Sequence, residues 1–388
     1  MGKIFKGIPL DQDVYTLALE RMNRYFDRFD HIGVLFSGGK DSTACLNLAL
    51  HVARERNRLP LDVVHFDEEA IPPETVEYVE RVESLPDVAL RWYCTPVQHR
   101  NGCSRKEAYW YAWAEEKRDI WCRDLPDTAI REIGFGFDRH PMPDCNKFLW
   151  PETNRTTGII IGLRADESFN RRRALLKSIV DNDMTIRDDL RTTCAPIYDW
   201  RAEDIWFAPH RLGWDYNRAY DTMESAGISW HKQRCAPPYG EEPMQGLWQF
   251  QVCWPQLWDK MSKRVPGAAT AARYAATKLY GHGGMIQPRG QSWKELVRLY
   301  LSRHTPEVRE NTAKSIKQLL ALHKKKTNDP LPMEKAHHVT GLSWCFITML
   351  ALRGDLKQRR ARQHQGKAFL RPETMTEENL EAYYGTRF

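Results

Sequence analysis

The sequence predicts an α/β fold, a parallel twisted sheet with helices on both faces, followed by a mostly helical C-terminal region. Three observations carry that expectation. Apolar strand-like runs alternate with helix-length segments between residues 32 and 163, a Gly-Gly-Lys turn separates the first run from the helix after it, and apolar spacing is mostly helical from about residue 200. Strands alternating with helices pair in parallel through right-handed crossovers, which covers the sheet on both faces.

Taken in order, a first helix is expected over residues 13–29, where Val14, Leu17, Ala18, Met22 and Phe26 repeat at helical spacing. Strands are expected over 32–36, 61–66, 88–93 and 158–163, with a helix over 42–56 between the first two. Residues 94–157, rich in Trp, Cys, Pro and charge, break the rhythm and are expected to form a helix plus an irregular insertion. Further on, Ser292-Trp293-Lys294-Glu295 reads as a capping box, and Thr305-Pro306 opens another helix with proline at its first position. Residues 281–284 and 328–332 read as connections. The expected division is an α/β domain over 1–240, with 94–157 as an insertion, and a basic helical domain over 241–388.

Composition bounds the class. At 388 residues, with 42% hydrophobic and 28% charged residues, the chain can bury a large core. No run approaches the roughly 18 apolar residues of a membrane helix, and the start MGKIFKGIPLDQ lacks the apolar centre of a signal peptide. A soluble, cytoplasmic protein with no membrane contact is expected. Nine cysteines without tight spacing argue against a disulfide framework and for a reducing compartment, with Cys45 and Cys345 as core residues. The net charge of +6 hides an asymmetry, −7 over residues 1–257 against +16 over 258–371. The basic stretch is a candidate for contact with a polyanion.

The stretch Ser37-Gly38-Gly39-Lys40-Asp41-Ser42 carries the chemistry. A turn that opens a helix has free amide N–H groups and the positive end of the helix dipole, so it favours phosphate. Gly38 and Gly39 let backbone approach an anion, Lys40 adds a mobile charge, and Ser37 and Ser42 add hydroxyl donors. A Walker A loop is excluded, because Val34 stands five positions before Gly39 and Asp41 follows the lysine. A carboxylate there suits a magnesium ion bridging Asp41 to phosphates. The competing reading is a strand-to-helix turn without a ligand.

This loop resembles the pyrophosphate (PP) loop of the ATP pyrophosphatases and adenine nucleotide α-hydrolases, in the phosphoadenosine phosphosulfate (PAPS) reductase-like branch. The resemblance implies a Rossmann-like fold in which the loop grips the β and γ phosphates of ATP while a substrate oxygen attacks the α phosphorus, releasing pyrophosphate. Gly162, Arg164 and Arg171, in Gly162-Leu163-Arg164-Ala165-Asp166-Glu167-Ser168 and the Arg171-Arg172-Arg173 run, are similar to the family's GxRxxES…R pattern. Residues 196–206, PIYDWRAEDIW, resemble its P-(I/L)-xx-W-xxx-D-(V/I)-W segment, with Trp200 and Trp206 as packing residues. Residues 239–247 and 264–268 extend the resemblance to the immunoglobulin-binding-regulator type, which implies an enlarged helical C-terminus and a ParB/sulfiredoxin-like partner protein.

Carried onto this chain, the catalytic candidates are Lys40, Asp41 and Arg164. Ser37, Gly38, Gly39, Ser42, Asp67, Gly162 and Arg171 are the nucleotide-binding candidates, and Asp41 and Asp67 the magnesium ligands. Asp67-Glu68-Glu69 ends the second strand and reads equally as a solvated turn. The Glu-Cys-Gly-Leu/Ile-His motif of a sulfonucleotide reductase is missing, as are the cysteine pairs of its iron cluster, which weakens a reductase reading. Cys94, Cys103, Cys122 and Cys145, with His99 and His140, are candidate zinc ligands whose spacings of 9, 19 and 23 match no finger or ribbon. Cys194 and Cys235 are candidate nucleophiles. The expectation is an ATP-dependent adenylyl-forming enzyme using ATP and Mg2+, with nucleic acid a candidate acceptor through residues 258–371. A sulfonucleotide reductase and a nucleotide-binding regulator without turnover are the alternatives.

Overall fold

The computed structural model describes residues 12–104, 106–132, 140–141, 146–151, 154–167, 183–240, 243–274, 291–333 and 335–365. Arg171 and Cys145 lie outside them. The described residues of 1–103 and 109–273 pack as one compact unit, and those of 104–108 and 274–388 as a second.

The first unit is built on strands β1 (His31–Leu35), β2 (Leu61–Phe66), β3 (Val88–Tyr93), β4 (Val97–Arg100), β5 (Tyr109–Tyr111), β6 (His140–Pro141), β7 (Thr157–Ile160), β8 (Met184–Ile186) and β9 (Arg191–Cys194). Six of them form one sheet in the order β3-β2-β1-β7-β9-β8. Pairing is parallel throughout except at the β8 edge, which runs antiparallel to β9. β7 is buried at every position and β2 at four of its six, as expected for strands covered on both faces.

The four anticipated strands are present within three residues at each end. The region 94–157 differs from expectation: among its described residues, β4 pairs antiparallel with β5 and parallel with β6 in a small second sheet. These strands are two to four residues long and set among Trp, Cys and charged residues, so no period-2 alternation marks them.

Helices α1 (Val14–Arg28), α2 (Lys40–Glu55) and α3 (Pro73–Glu83) belong to the first half of the sheet. α1 is capped by the Asp13 carboxylate, which accepts from Tyr15 N at 2.9 Å and Thr16 N at 3.0 Å. Short α4 (Asn146–Leu149) brings Leu149 and Trp150 against Val64, Tyr93 and Ile159 of the sheet. α5 (Ala202–Leu212), α6 (Ala219–Ser225), α7 (Leu247–Cys253), α8 (Pro255–Arg264) and α9 (Ala268–Tyr274) follow β9.

The second unit holds α10 (Trp293–Ser302), α11 (Pro306–Lys326), α12 (Trp344–Arg353) and α13 (Arg359–Gln365). Ser292 and Glu295 form the reciprocal capping box, and Pro306 opens α11. Its core joins Val297, Ile316, Leu319, Leu342, Ile347 and Leu350. Tyr300 and Trp344 pack against that core, so these aromatics are structural. No described helix is long and apolar enough to cross a membrane.

Candidate functional site

β2 and β3 lie on one side of β1, and β7 and β9 on the other. The connections leaving β1 and β7 therefore diverge and open a crevice at the carboxyl ends of the strands, where open α/β sheets bind ligands. A cavity of about 610 Å³ lies there. The β1–α2 turn contributes Ser37, Gly39, Lys40, Asp41 and Ser42 to its lining, and the segment after β7 contributes Gly162 and Arg164.

The turn takes its shape from short-range chemistry. Gly38 sits at φ +72°, where a Cβ is unfavourable. The Ser42 hydroxyl accepts from Ser37 N at 3.2 Å and donates to Gly39 O at 2.8 Å, so it holds the loop closed. Two residues beyond the reach of local sequence brace it from outside. Tyr220 Oη accepts from Lys40 N at 2.9 Å, and Asn217 Nδ2 donates to Gly38 O at 2.9 Å.

Gly162 explains how the β7 connection reaches this turn. A Cβ there would stand 2.8 Å from Asp41 C and Ser42 N, so any side chain would drive the two segments apart. Their approach lets Arg164 Nε donate to Asp41 Oδ1, while Arg164 Nη1 donates to Trp200 O at 3.5 Å. Lys40 Nζ stands 3.7 Å from Asp41 Oδ2 and donates to Gln233 O at 3.4 Å. Burial pushes the Lys40 pKa down, and the Asp41 carboxylate opposes that shift. Two cations thus share one carboxylate beside the first-turn amides of α2, an arrangement that can hold a polyanion.

Other expected residues lie elsewhere. Asp67 is 1% exposed and does not line the cavity. Its carboxylate accepts from Trp92 Nε1 at 2.8 Å and from Glu69 N at 2.8 Å, and pairs with Arg123. Those bonds engage both of its oxygens within the protein, where a metal contact was expected. Glu68 takes the cavity position instead, with His99 Nδ1 3.6 Å away. Burial pushes the Glu68 carboxyl up to about 7. His65 lines the same wall, its Nδ1 donating to Phe36 O at 2.8 Å, so Nε2 is a bare acceptor with no protein partner. Burial lowers the His65 pKa to about 4.

Cys94, Cys103 and Cys122 are buried, and among the described residues no group of three or more His, Cys, Asp or Glu stands ready to hold a metal ion. Cys194 is buried on β9 and is not in the cavity lining. Cys235 is in that lining and accepts from Asn217 Nδ2 at 3.5 Å, but burial raises its thiol to about 11, the opposite of an activated nucleophile. Asn217, Tyr220 and Gln233 had no motif to announce them as site residues, and Glu68 stood in the acidic cluster after the second strand, where Asp67 was the residue singled out.

Residues 31–225 match the phosphoadenosine phosphosulfate reductase domain, and residues 227–345 match a domain of unknown function, DUF3440. The uncharacterized protein YbdN of Escherichia coli strain K12 is 30% identical over 338 residues, which is 81% of this chain and 80% of that protein. Among solved structures, an FMN adenylyltransferase of Candida glabrata is similar at 16% identity and a TM-score of 0.34, over 53% of this chain and 57% of that one. The chain therefore spans little more than half the length of that adenylyltransferase. A PAPS reductase of Candida auris, in a phosphate complex, is similar at 14% identity and a TM-score of 0.31, over 56% of this chain and 94% of that one. With half of the chain matched by the domain and a relative aligned over most of its length, this protein belongs to the phosphoadenosine phosphosulfate reductase domain family, a branch of the nucleotide-using PP-loop superfamily.

Proposed function

We propose that the protein cleaves ATP between the α and β phosphates, passing the adenylyl group to an acceptor and releasing pyrophosphate. The observation that carries this reading is the gathering of Lys40, Arg164 and the first-turn amides of α2 around one cavity at the switch point of the sheet. In it, the Lys40 ammonium and the first-turn amides other than that of Lys40, which Tyr220 occupies, hold the two terminal phosphates. Arg164, held in place by Asp41, offsets charge that develops at the α phosphorus, the main lever in phosphoryl-group chemistry.

Magnesium would be held mainly by phosphate and water, with Asp41 as its protein ligand through Oδ2, which stands 3.7 Å from Lys40 Nζ while Oδ1 takes the Arg164 bond. Its contribution is neutralisation of phosphate charge. Asp67, already hydrogen-bonded and buried, does not fit the same role. Nucleic acid contact through the basic stretch 258–371, a ParB/sulfiredoxin-like partner and a cytoplasmic location belong to the same reading.

ATP labelled at the α or γ phosphate tests it. Pyrophosphate carrying the γ label is expected, with the α label on the acceptor, or in AMP once water displaces the adenylyl group; ADP plus phosphate contradicts it. Binding without turnover favours a nucleotide-sensing regulator. The reductase alternative finds no support in Cys235, a buried thiol whose proton is held tightly.

A further inference from the structure

Residues 228–236 form a rim of the cavity that the phosphate loop does not account for. Lys232 N donates to Ser229 O at 2.7 Å, closing a turn with Trp230 and His231 at its tip. Gln233, 1% exposed, pins the turn by donating Nε2 to Ile228 O at 2.9 Å. The same residue's carbonyl accepts from Lys40 Nζ at 3.4 Å, which ties the rim to the loop lysine. The Trp230 and His231 rings stack with centroids 3.9 Å apart at 26°. Trp230 is 36% exposed, while Lys232 and Arg234 are exposed beside it. Trp230, His231 and Arg234 all line the cavity.

A tryptophan held on a braced turn, backed by a second ring and flanked by two cations, is poorly explained as core. It offers a flat apolar face, which matches a base whose own face is uncovered, and charge for the phosphates on either side. A duplex covers its base faces, and an acidic peptide has no such face to offer. We propose that this rim receives the acceptor, a single-stranded nucleic acid, by stacking one base on Trp230 while Lys232 and Arg234 meet the adjoining backbone. The stacked base then stands at the mouth of the cavity whose wall includes Lys40. The assignment rests on the adenylyl-transfer reading for its purpose and on the rim's own geometry for its ligand.

The test uses the full chain and fluorescently labelled single strands of about 12 nucleotides, DNA and RNA, titrated without nucleotide. Trp230→Ala weakens binding roughly 5- to 150-fold, the range for loss of one base stack, and Trp230→Phe restores most of it. An abasic strand of equal length binds wild type and Trp230→Ala alike, because it keeps the phosphates and lacks the base. ATP affinity is measured on the same proteins. Undiminished oligonucleotide binding by Trp230→Ala, an equal loss for the abasic strand, or a loss of ATP affinity as large as that for the strand each overturns the proposal. Failure to release pyrophosphate in the labelled-ATP assay removes the reaction proposed above and leaves this site standing, so the two fail separately.

Discussion

At the scale of single residues, Asp41 stands between two cations, and its removal does more than delete one charge. Arg164, 3% exposed, would keep its charge and lose its carboxylate. Asp41→Ala should therefore cost about 3 kcal/mol or more of stability besides turnover, as breaking a buried pair usually does. Lys40→Ala is the cleaner test, since it leaves no charge stranded; ATP cleavage should fall by ~100-fold or more with the denaturation midpoint little changed. An unchanged rate would remove Lys40 from the mechanism.

His65 supplies a pH signature. Its pKa, lowered to about 4 by burial and further by the Arg123 charge, lies below the ordinary 6.5, so the unfolded chain takes up the proton first as pH falls. The stability contributed by neutral burial is present above pH 6.5 and is lost as pH drops towards 4. Equilibrium denaturation across that window should give a smaller slope for His65→Gln, by at most about 1.4 kcal/mol per pH unit. His99, lowered similarly, retains part of the slope.

Among elements, the insertion is fastened to the sheet by a buried ion pair. Glu69, just past β2, receives Arg264 of α8 through two bonds of 2.7 and 3.0 Å, and accepts from Trp113 N at 2.7 Å and Cys122 N at 3.1 Å. One carboxylate thereby joins β2, the 94–132 segment and α8. Arg264→Met strands that carboxylate and should lower stability by about 3–5 kcal/mol in denaturant titration. A loss under 1 kcal/mol would mean that the junction is held by packing alone. At the start of α10, Ser292→Ala should cost about 1 kcal/mol. The contrast follows from range: the cap satisfies amides within one turn, whereas Glu69 unites segments nearly 200 residues apart.

Across the whole molecule, charge is distributed unevenly. α11 ends in exposed Lys324, Lys325 and Lys326, which both suit the negative end of that helix and leave cationic surface in solvent. If nucleic acid is the acceptor, its affinity should fall steeply with salt. Replacing all three lysines by Gln should then reduce the slope of log affinity against log salt by about 2 units. A slope unmoved by those changes would place the contact elsewhere.

The sequence by itself determined the parallel strands, the Gly-Gly-Lys turn and the capped C-terminal helices, because each is dictated by neighbours within a few residues. Apolar runs specify β1, β2, β3 and β7, while two glycines, a lysine and two serines specify the loop. Arg191-Thr192-Thr193-Cys194 carried no such signal and became β9 only because β7 and β8 offered it edges to pair with. Tertiary structure alone decided that Asp67 would turn into the core and Glu68 towards the cavity. It likewise brought Tyr220, Asn217 and Gln233 to the loop from 179 to 193 residues away. Contacts of that range depend on how the whole chain packs, and no local pattern of residues records them.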